Sequence, residues 1–206
     1  MQELKRTPLY PLYAKYGAKT VEFGGWEMPV QFTSILLEHE AVRQRVGLFD
    51  VSHMGEFEVV GPQALEFLQH LVTNDLARLQ PGMAMYSPMT YETGTCVDDL
   101  LVYCVSAEHF WVVVNAGNID KDFAWMTDHQ SQFDVELRNK SEEIALLALQ
   151  GPKAQEVLQS LTAVDLETLA YYRFVEGEIG PVRAIISRTG YTGEDGFEFY
   201  IRAQDA

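Results

Sequence analysis

The segment "GPQALEFLQHL" at residues 61–71 returns ninety residues later as "GPKAQEVLQSL" at 151–161. Gly, Pro, Ala, Glu, Leu, Gln and Leu recur at the same offsets, seven identities in eleven positions. Two unrelated helices that begin with proline in the first turn would share the proline and little else. A strand-like segment precedes each copy ("EFEVV", "ALLALQ"), and "DL" follows each. A copied block of this kind is a supersecondary unit, so the chain reads as two related βα units.

In the first unit the pattern predicts the helix, a strand near 83–90, a hairpin over 97–115, a helix over 118–130 and a strand near 132–138. In the second it predicts the helix, a strand near 171–176 and a hairpin over 182–202. "TSILLEHEAVRQRVG" predicts a further helix capped at Thr33/Ser34 and ending at Gly47, and Asn118 is placed to cap "NIDKDFAWMTDH". "FGGWEMPVQF" reads as an aromatic-rich loop. Hairpins interleaved with helices indicate an α+β fold with antiparallel sheets and flanking helices, not a doubly wound parallel sheet. The expected subdomains are 1–50 with 141–206, and 51–140. The counterpart of helix 118–130 falls near residue 205, so the second unit is expected to continue past the end of this sequence. Alone, the chain is then expected to be inactive and to associate through an uncovered sheet face.

A length of 206 residues suits one large domain or two small ones. The net charge of −15 disfavours nucleic acid and anionic membrane as partners. No apolar run approaches the roughly 18 residues of a membrane span, and the first residues lack the apolar core of a signal peptide. Cys96 and Cys104 on one straight strand would lie about 26 Å apart, beyond disulfide reach. They read as free buried thiols in a reducing, cytoplasmic compartment. There is no CxxC or HxH, so no metal site is expected.

The chemistry concentrates in "GTCVDDLLVYC". Successive strand residues face opposite ways, so Asp98 and Asp99 point to opposite faces, both otherwise apolar. Whichever face meets the core, one acid goes with it, where burial raises its pKa unless it is hydrogen-bonded or paired. Such an acid suits binding a nitrogen-bearing ligand or proton transfer. In "RTGYTGEDGFEF" the glycines read as a hairpin turn, while Glu198 fits either the solvent face of a strand or an interior position. His53 reads as structural, and Tyr86 as a core or rim tyrosine. No GxSxG elbow or Cys–His pair is present.

"LKRTPLYPLYAKYGAKTVEFGGWEMPVQF", "GLFDVSHMGE", "FLQHLVTND", "VDDLLVY", "NAGNIDKD", "LALQGP" and "SRTGYTGEDGFEFY" together resemble the glycine cleavage system T-protein (aminomethyltransferase) family, over its N-terminal part. The resemblance implies the folate-binding aminomethyltransferase fold, with the family's C-terminal barrel domain lying beyond residue 206. It implies transfer of a one-carbon unit from an aminomethyl group on the lipoyl arm of the H-protein to tetrahydrofolate, with release of ammonia and no metal. It assigns the essential aspartate to Asp99 and the pterin-binding glutamate to Glu198. Tyr86 and Tyr191 become cavity tyrosines, and Met54 and Asn115 further lining residues. On this reading Asp99 goes inward, to stabilise positive charge on the one-carbon unit, and Asp98 is structural. The alternatives are the folate domain of a dimethylglycine- or sarcosine-type demethylating oxidase, and a non-catalytic folate-binding protein of iron–sulfur cluster assembly.

Overall fold

The computed structural model describes residues 3–206. In chain order the elements are α1 (Tyr10–Lys15), β1 (Lys19–Phe23), β2 (Trp26–Gln31), α2 (Ile35–Gln44), β3 (Gly47–Asp50), β4 (Gly55–Val60), α3 (Ala64–Leu71), β5 (Met83–Thr90), β6 (Cys96–Ser106), β7 (His109–Val114), α4 (Ile119–Gln130), β8 (Glu136–Asn139), β9 (Ile144–Gln150), α5 (Ala154–Gln159), β10 (Phe174–Ile179), β11 (Val182–Ser187) and β12 (Gly196–Arg202). No described helix is long and apolar enough to cross a membrane. The chain divides into two compact units. One is Met54–Glu142; the other gathers the chain up to His53 and Glu143–Ala206.

In the Met54–Glu142 unit an antiparallel sheet runs β5-β6-β7-β4-β8. Helix α3 places Ala64, Phe67, Leu68 and Leu71 at i, i+3, i+4 and i+7, the spacing of a single helical face. With Ile119 and Met126 of α4, that face packs on Phe57, Val59, Val102, Phe110 and Val112 from the strands. Burying side chains as large as Phe67 or Leu68 stabilises by roughly 1.5–3 kcal/mol each.

The other unit has the sheet β10-β11-β12-β9-β3, the same order in repeat terms, with α5 packing Ala154 and Leu158 on Leu147, Ile186 and Phe197. The α+β class and the two related βα units are therefore present. The predicted hairpins are β6–β7 and β11–β12. A separate hairpin, β1–β2, lies where the sequence suggested a loop. Its Gly24 and Gly25, at φ of 57° and 87°, make the left-handed two-residue turn that such hairpins use.

The repeated residues do the same work twice. The Gln69 amide donates to the Asn74 carbonyl (2.8 Å) and accepts from the Leu76 amide (2.7 Å). Gln159 donates to the Val164 carbonyl (2.8 Å) and accepts from the Leu166 amide (3.0 Å). Each glutamine thus closes the loop that ends in "DL". Gly61 and Gly151 sit at φ of 147° and 134°. A Cβ there would meet the Asp134 carbonyl oxygen at 2.4 Å and the Arg45 carbonyl oxygen at 2.6 Å. Those carbonyls belong to the segments leading into β8 and β3. Two residues on, the amides of Gln63 and Lys153 donate to the same two carbonyls, at 3.4 and 2.9 Å.

The fifth strand of each sheet is exchanged. β3 leads into the first repeat yet pairs with β9 of the second, from Gly47↔Gln150 to Asp50↔Leu147. β8 leads into the second repeat yet pairs with β4 of the first, from Phe57↔Asn139 to Val60↔Glu136.

Candidate functional site

The site in the Met54–Glu142 unit is built on β6. Its register with β5 pairs Tyr86 with Leu101 and Pro88 with Asp99, so Tyr86 and Asp99 are diagonal neighbours on one face. The Tyr86 hydroxyl donates to Asp99 Oδ2 at 3.0 Å. Asn115 Nδ2 donates to Asp99 Oδ1 at 3.2 Å and to its carbonyl at 3.0 Å. The hydrogen bond to Asp99 holds the proton on Tyr86 and raises its pKa above 10.0. The structure therefore brings Tyr86, Asp99 and Asn115 together. Met54 lies half-buried just ahead of β4.

One aspartate does enter the core, but it is Asp98 and not Asp99, which is exposed. The two acids lie on opposite faces of β6, with the expected inward and outward faces reversed. Asp98 shares its face with Leu100, Val102 and Cys104, which pack under the helices. It is tolerated there because donors surround it. Asn115 Nδ2 and Asn118 Nδ2 both reach Asp98 Oδ1 at 2.9 Å, and the Asn115 backbone amide reaches Oδ2 at 3.3 Å. Asn118 thus gives its side chain to Asp98 instead of capping α4.

Asp122, one turn into α4 and fully buried, completes the group. As a carboxylate it would have no donor for either oxygen; as a carboxylic acid it donates to Asp98. Burial, then the hydrogen bond and charge of Asp98, push its pKa up to about 8 against a weaker pull from Lys121. Burial alone would raise Asp98, but the bonds from Asp122, Asn115 and Asn118 outweigh it and hold it below 3.8. The sequence signal was the spacing Asn115–Asn118–Asp122, polar residues at i, i+3 and i+7 running from the end of β7 into α4.

A second buried acid went unnoticed in the sequence. Glu56 on β4 lies in one row with Val113, Leu101 and Tyr86, on the face that carries Asp99. It is 1% exposed and neither oxygen has a partner among the described residues, so burial raises its pKa well above 4.5.

In the other unit Glu198 is interior, 6% exposed on β12 between β11 and β9. Thr189 Oγ1 donates to its Oε2. Burial raises its pKa in spite of that bond. Tyr191 is exposed on the preceding loop. Gln150, the residue before the second repeat, pins that loop. Its Nε2 donates to the Thr189 carbonyl at 3.0 Å, and its Oε1 accepts from Thr192 Oγ1 at 3.0 Å. Gly190, at φ 150°, lies so close that a Cβ would sit 2.1 Å from Gln150 Oε1. Arg188 donates to both oxygens of Asp195, at 2.9 and 2.6 Å, and so holds the far end of the turn. A cavity of about 510 Å³ lined by Tyr171, Arg188, Gly190, Gly193, Glu194 and Asp195 opens beside it.

His53 is buried with its ring edge-on to Phe23, and burial lowers its pKa. Cys104 is buried as expected, whereas Cys96 at the start of β6 is exposed; both are free. No group of three or more His, Cys, Asp or Glu placed to hold a metal occurs among the described residues.

By fold, this is a duplicated α+β chain of antiparallel sheets whose polar interior is built from carboxylates. A family model described as the GCVT N-terminal domain matches residues 9–206, and the chain belongs to that family. It is 61% identical over 204 residues to an aminomethyltransferase of Anoxybacillus flavithermus and 56% identical over 204 residues to one of Bacillus subtilis. Each match covers 98% of this chain and 56% of the relative, so the chain spans about half the length of the curated relatives it matches. The crystal structure of glycine cleavage system aminomethyltransferase T from Bartonella henselae matches with a TM-score of 0.91 at 38% identity, over 98% of this chain and 55% of that one. A chain of heterotetrameric sarcosine oxidase from Corynebacterium sp. U-96 matches over 97% of this chain and 88% of that one, with a TM-score of 0.60 at 16% identity, a likeness of fold alone.

Proposed function

We propose that this chain forms the one-carbon-transferring part of an aminomethyltransferase of the glycine cleavage system. The observation that carries the reading is Asp99: an exposed carboxylate on an interior strand, held by a tyrosine hydroxyl and an asparagine amide. The donor is the aminomethyl group on the lipoyl arm of an H-protein, and the acceptor is tetrahydrofolate. As the carbon passes to the folate nitrogens and ammonia leaves, positive charge develops on the methylene unit. A fixed carboxylate beside it stabilises that charge, and it costs no reorganisation at the moment of transfer. Tyr86 and Asn115 hold the carboxylate in place, and Tyr86 carries an exchangeable proton within reach of it.

Glu198 is assigned to the pterin. A carboxylate accepts two parallel hydrogen bonds from an amino group and its neighbouring ring N–H. Its raised pKa supports this role, because a buried acid without a cationic partner gains most from a ligand that supplies donors. Tyr191, on the loop before β12, is assigned to the folate with Glu198, and Met54, ahead of β4, is assigned with Asp99. The free cysteines agree with a reducing, cytoplasmic setting.

The test is ammonia release and methylene-tetrahydrofolate formation from lipoylated H-protein, measured on a protein of the relatives' length that carries this chain. Asp99→Asn, which keeps shape and removes charge, is expected to lose most turnover while retaining the fold. Full turnover in that variant would remove Asp99 from the mechanism.

A further inference from the structure

We propose that Asp98 is a positioning residue for Asp99, acting through the Asn115 amide. The inference rests on the reading of Asp99 given above and goes beyond a structural role for its neighbour. Asp98 and Asp99 face opposite sides of β6, and Asn115 is a side chain that both carboxylates touch. Asn115 bridges them from the end of β7. Its Nδ2 donates to Asp98 Oδ1 at 2.9 Å, to the Asp99 carbonyl at 3.0 Å and to Asp99 Oδ1 at 3.2 Å. With acceptors only on that side, the amide has one admissible orientation, NH2 toward the two acids. Asp98 fixes that orientation at both ends of the residue, because its other oxygen takes the Asn115 backbone amide at 3.3 Å.

Asp98 must itself be immobile for this to work, and the fold sees to that. It is 6% exposed, Asn118 reaches it at 2.9 Å, and buried Asp122 of α4 stands behind it. The charged and titratable groups around Asp98 include Asp122, Lys121 on the helix of Asp122, whose Nζ lies 3.8 Å from Asp122 Oδ1, Asp99 and Tyr86 across the strand, and Cys96, whose Sγ donates to the Asp98 carbonyl at 3.3 Å. Lys121 also donates to the Val97 carbonyl, tying α4 to the residue before Asp98. The chain of bonds runs from the helix through Asp98 and Asn115 to the exposed carboxylate. A small displacement of a catalytic group at the end of such a chain costs rate, not substrate affinity.

The experiment compares Asp98→Ala with Asp98→Asn in the protein used for the transfer assay. It reads kcat and folate KM separately, and hydrogen exchange of the Asn115 side-chain amide by NMR. In Asp98→Ala the Asn115 amide is expected to exchange about tenfold faster. Its kcat is expected to fall about tenfold, with KM within about twofold. Asp98→Asn keeps an accepting oxygen in the same place and is expected to restore slow exchange and most of kcat. If Asp98→Ala does not fold, Asp98→Ser leaves Asn115 unheld and reads the same quantities. Unchanged Asn115 exchange on truncation would overturn the proposal, as would equal kcat losses in the truncated and Asn variants. The exchange measurement needs no turnover. Absence of transfer activity in the parent protein would count against the function alone, while exchange still decides the role of Asp98.

Discussion

Replacing Asp122 by Asn should change how stability depends on pH in a way set by one proton. Asp122 is fully buried and its pKa stands at about 8 against 3.8 for an ordinary aspartate, chiefly through burial and then through Asp98. The folded state therefore keeps a proton that the unfolded chain releases. That contribution is fully present below pH 3.8 and is lost as pH rises through 8. Inside the window the slope is about 1.4 kcal/mol per pH unit, and from pH 6 to pH 8 the loss is about 2 kcal/mol. Glu56 and Glu198, also raised, add slopes of the same sign. They are common to both proteins and cancel in the difference. Asp122→Asn still offers an N–H to Asp98 and has nothing to titrate. Urea unfolding at pH 6, 7, 8 and 9 should show the variant gaining on the parent by about 2 kcal/mol between pH 6 and pH 8, then levelling off. Parallel stability curves would mean that Asp122 is not protonated in the fold, and the account of the Asp98–Asp122 pair would fail.

Gly151→Ala should destabilise by more than about 2 kcal/mol, since the new methyl meets the Arg45 carbonyl oxygen at 2.6 Å. Gly117→Ala, with nothing within 4 Å, should be near neutral in the same thermal melts. Gln159→Ala should cost roughly 1–3 kcal/mol by leaving the Leu166 amide without its acceptor, measurable by denaturant titration. Glu198→Gln should weaken folate binding by roughly 1–3 kcal/mol in calorimetry; an unchanged affinity would remove Glu198 from the pterin contacts.

The repeat was legible because its residues serve local geometry: a glycine for a close crossing, a glutamine for a loop, apolar positions for a helix face. The two hairpins were legible for the same reason. Asp98 and Asp99 were legible only as a pair. Both faces of β6 are apolar in sequence, so parity could say that one acid enters but not which. The choice depends on Asn115, Asn118 and Asp122, which reach Asp98 from later elements. Asn118 looked like a helix cap because capping is its commonest local use; a buried acid across the sheet competes for the same amide. For Glu198, alternation left two readings, since every residue of β12 except the last is buried and parity marks no solvent face. The exchange of β3 and β8 left no local mark, because it pairs segments about a hundred residues apart in one case and eighty in the other.

That exchange has a consequence for the order in which the chain can be made. Met54–Glu142 is one continuous stretch, and its last strand, β8, completes its sheet as soon as it emerges. β3 is synthesised before that stretch and has no partner until β9 follows it. At ribosomal rates of about 5–20 residues per second, the early segment waits roughly 5–20 s for its sheet. Released chains ending near residue 142 should therefore contain a protease-resistant core that begins near residue 54, with β3 cleavable. By order of synthesis, the interior of the sequence can complete its sheet before β3, though made earlier, meets its partner.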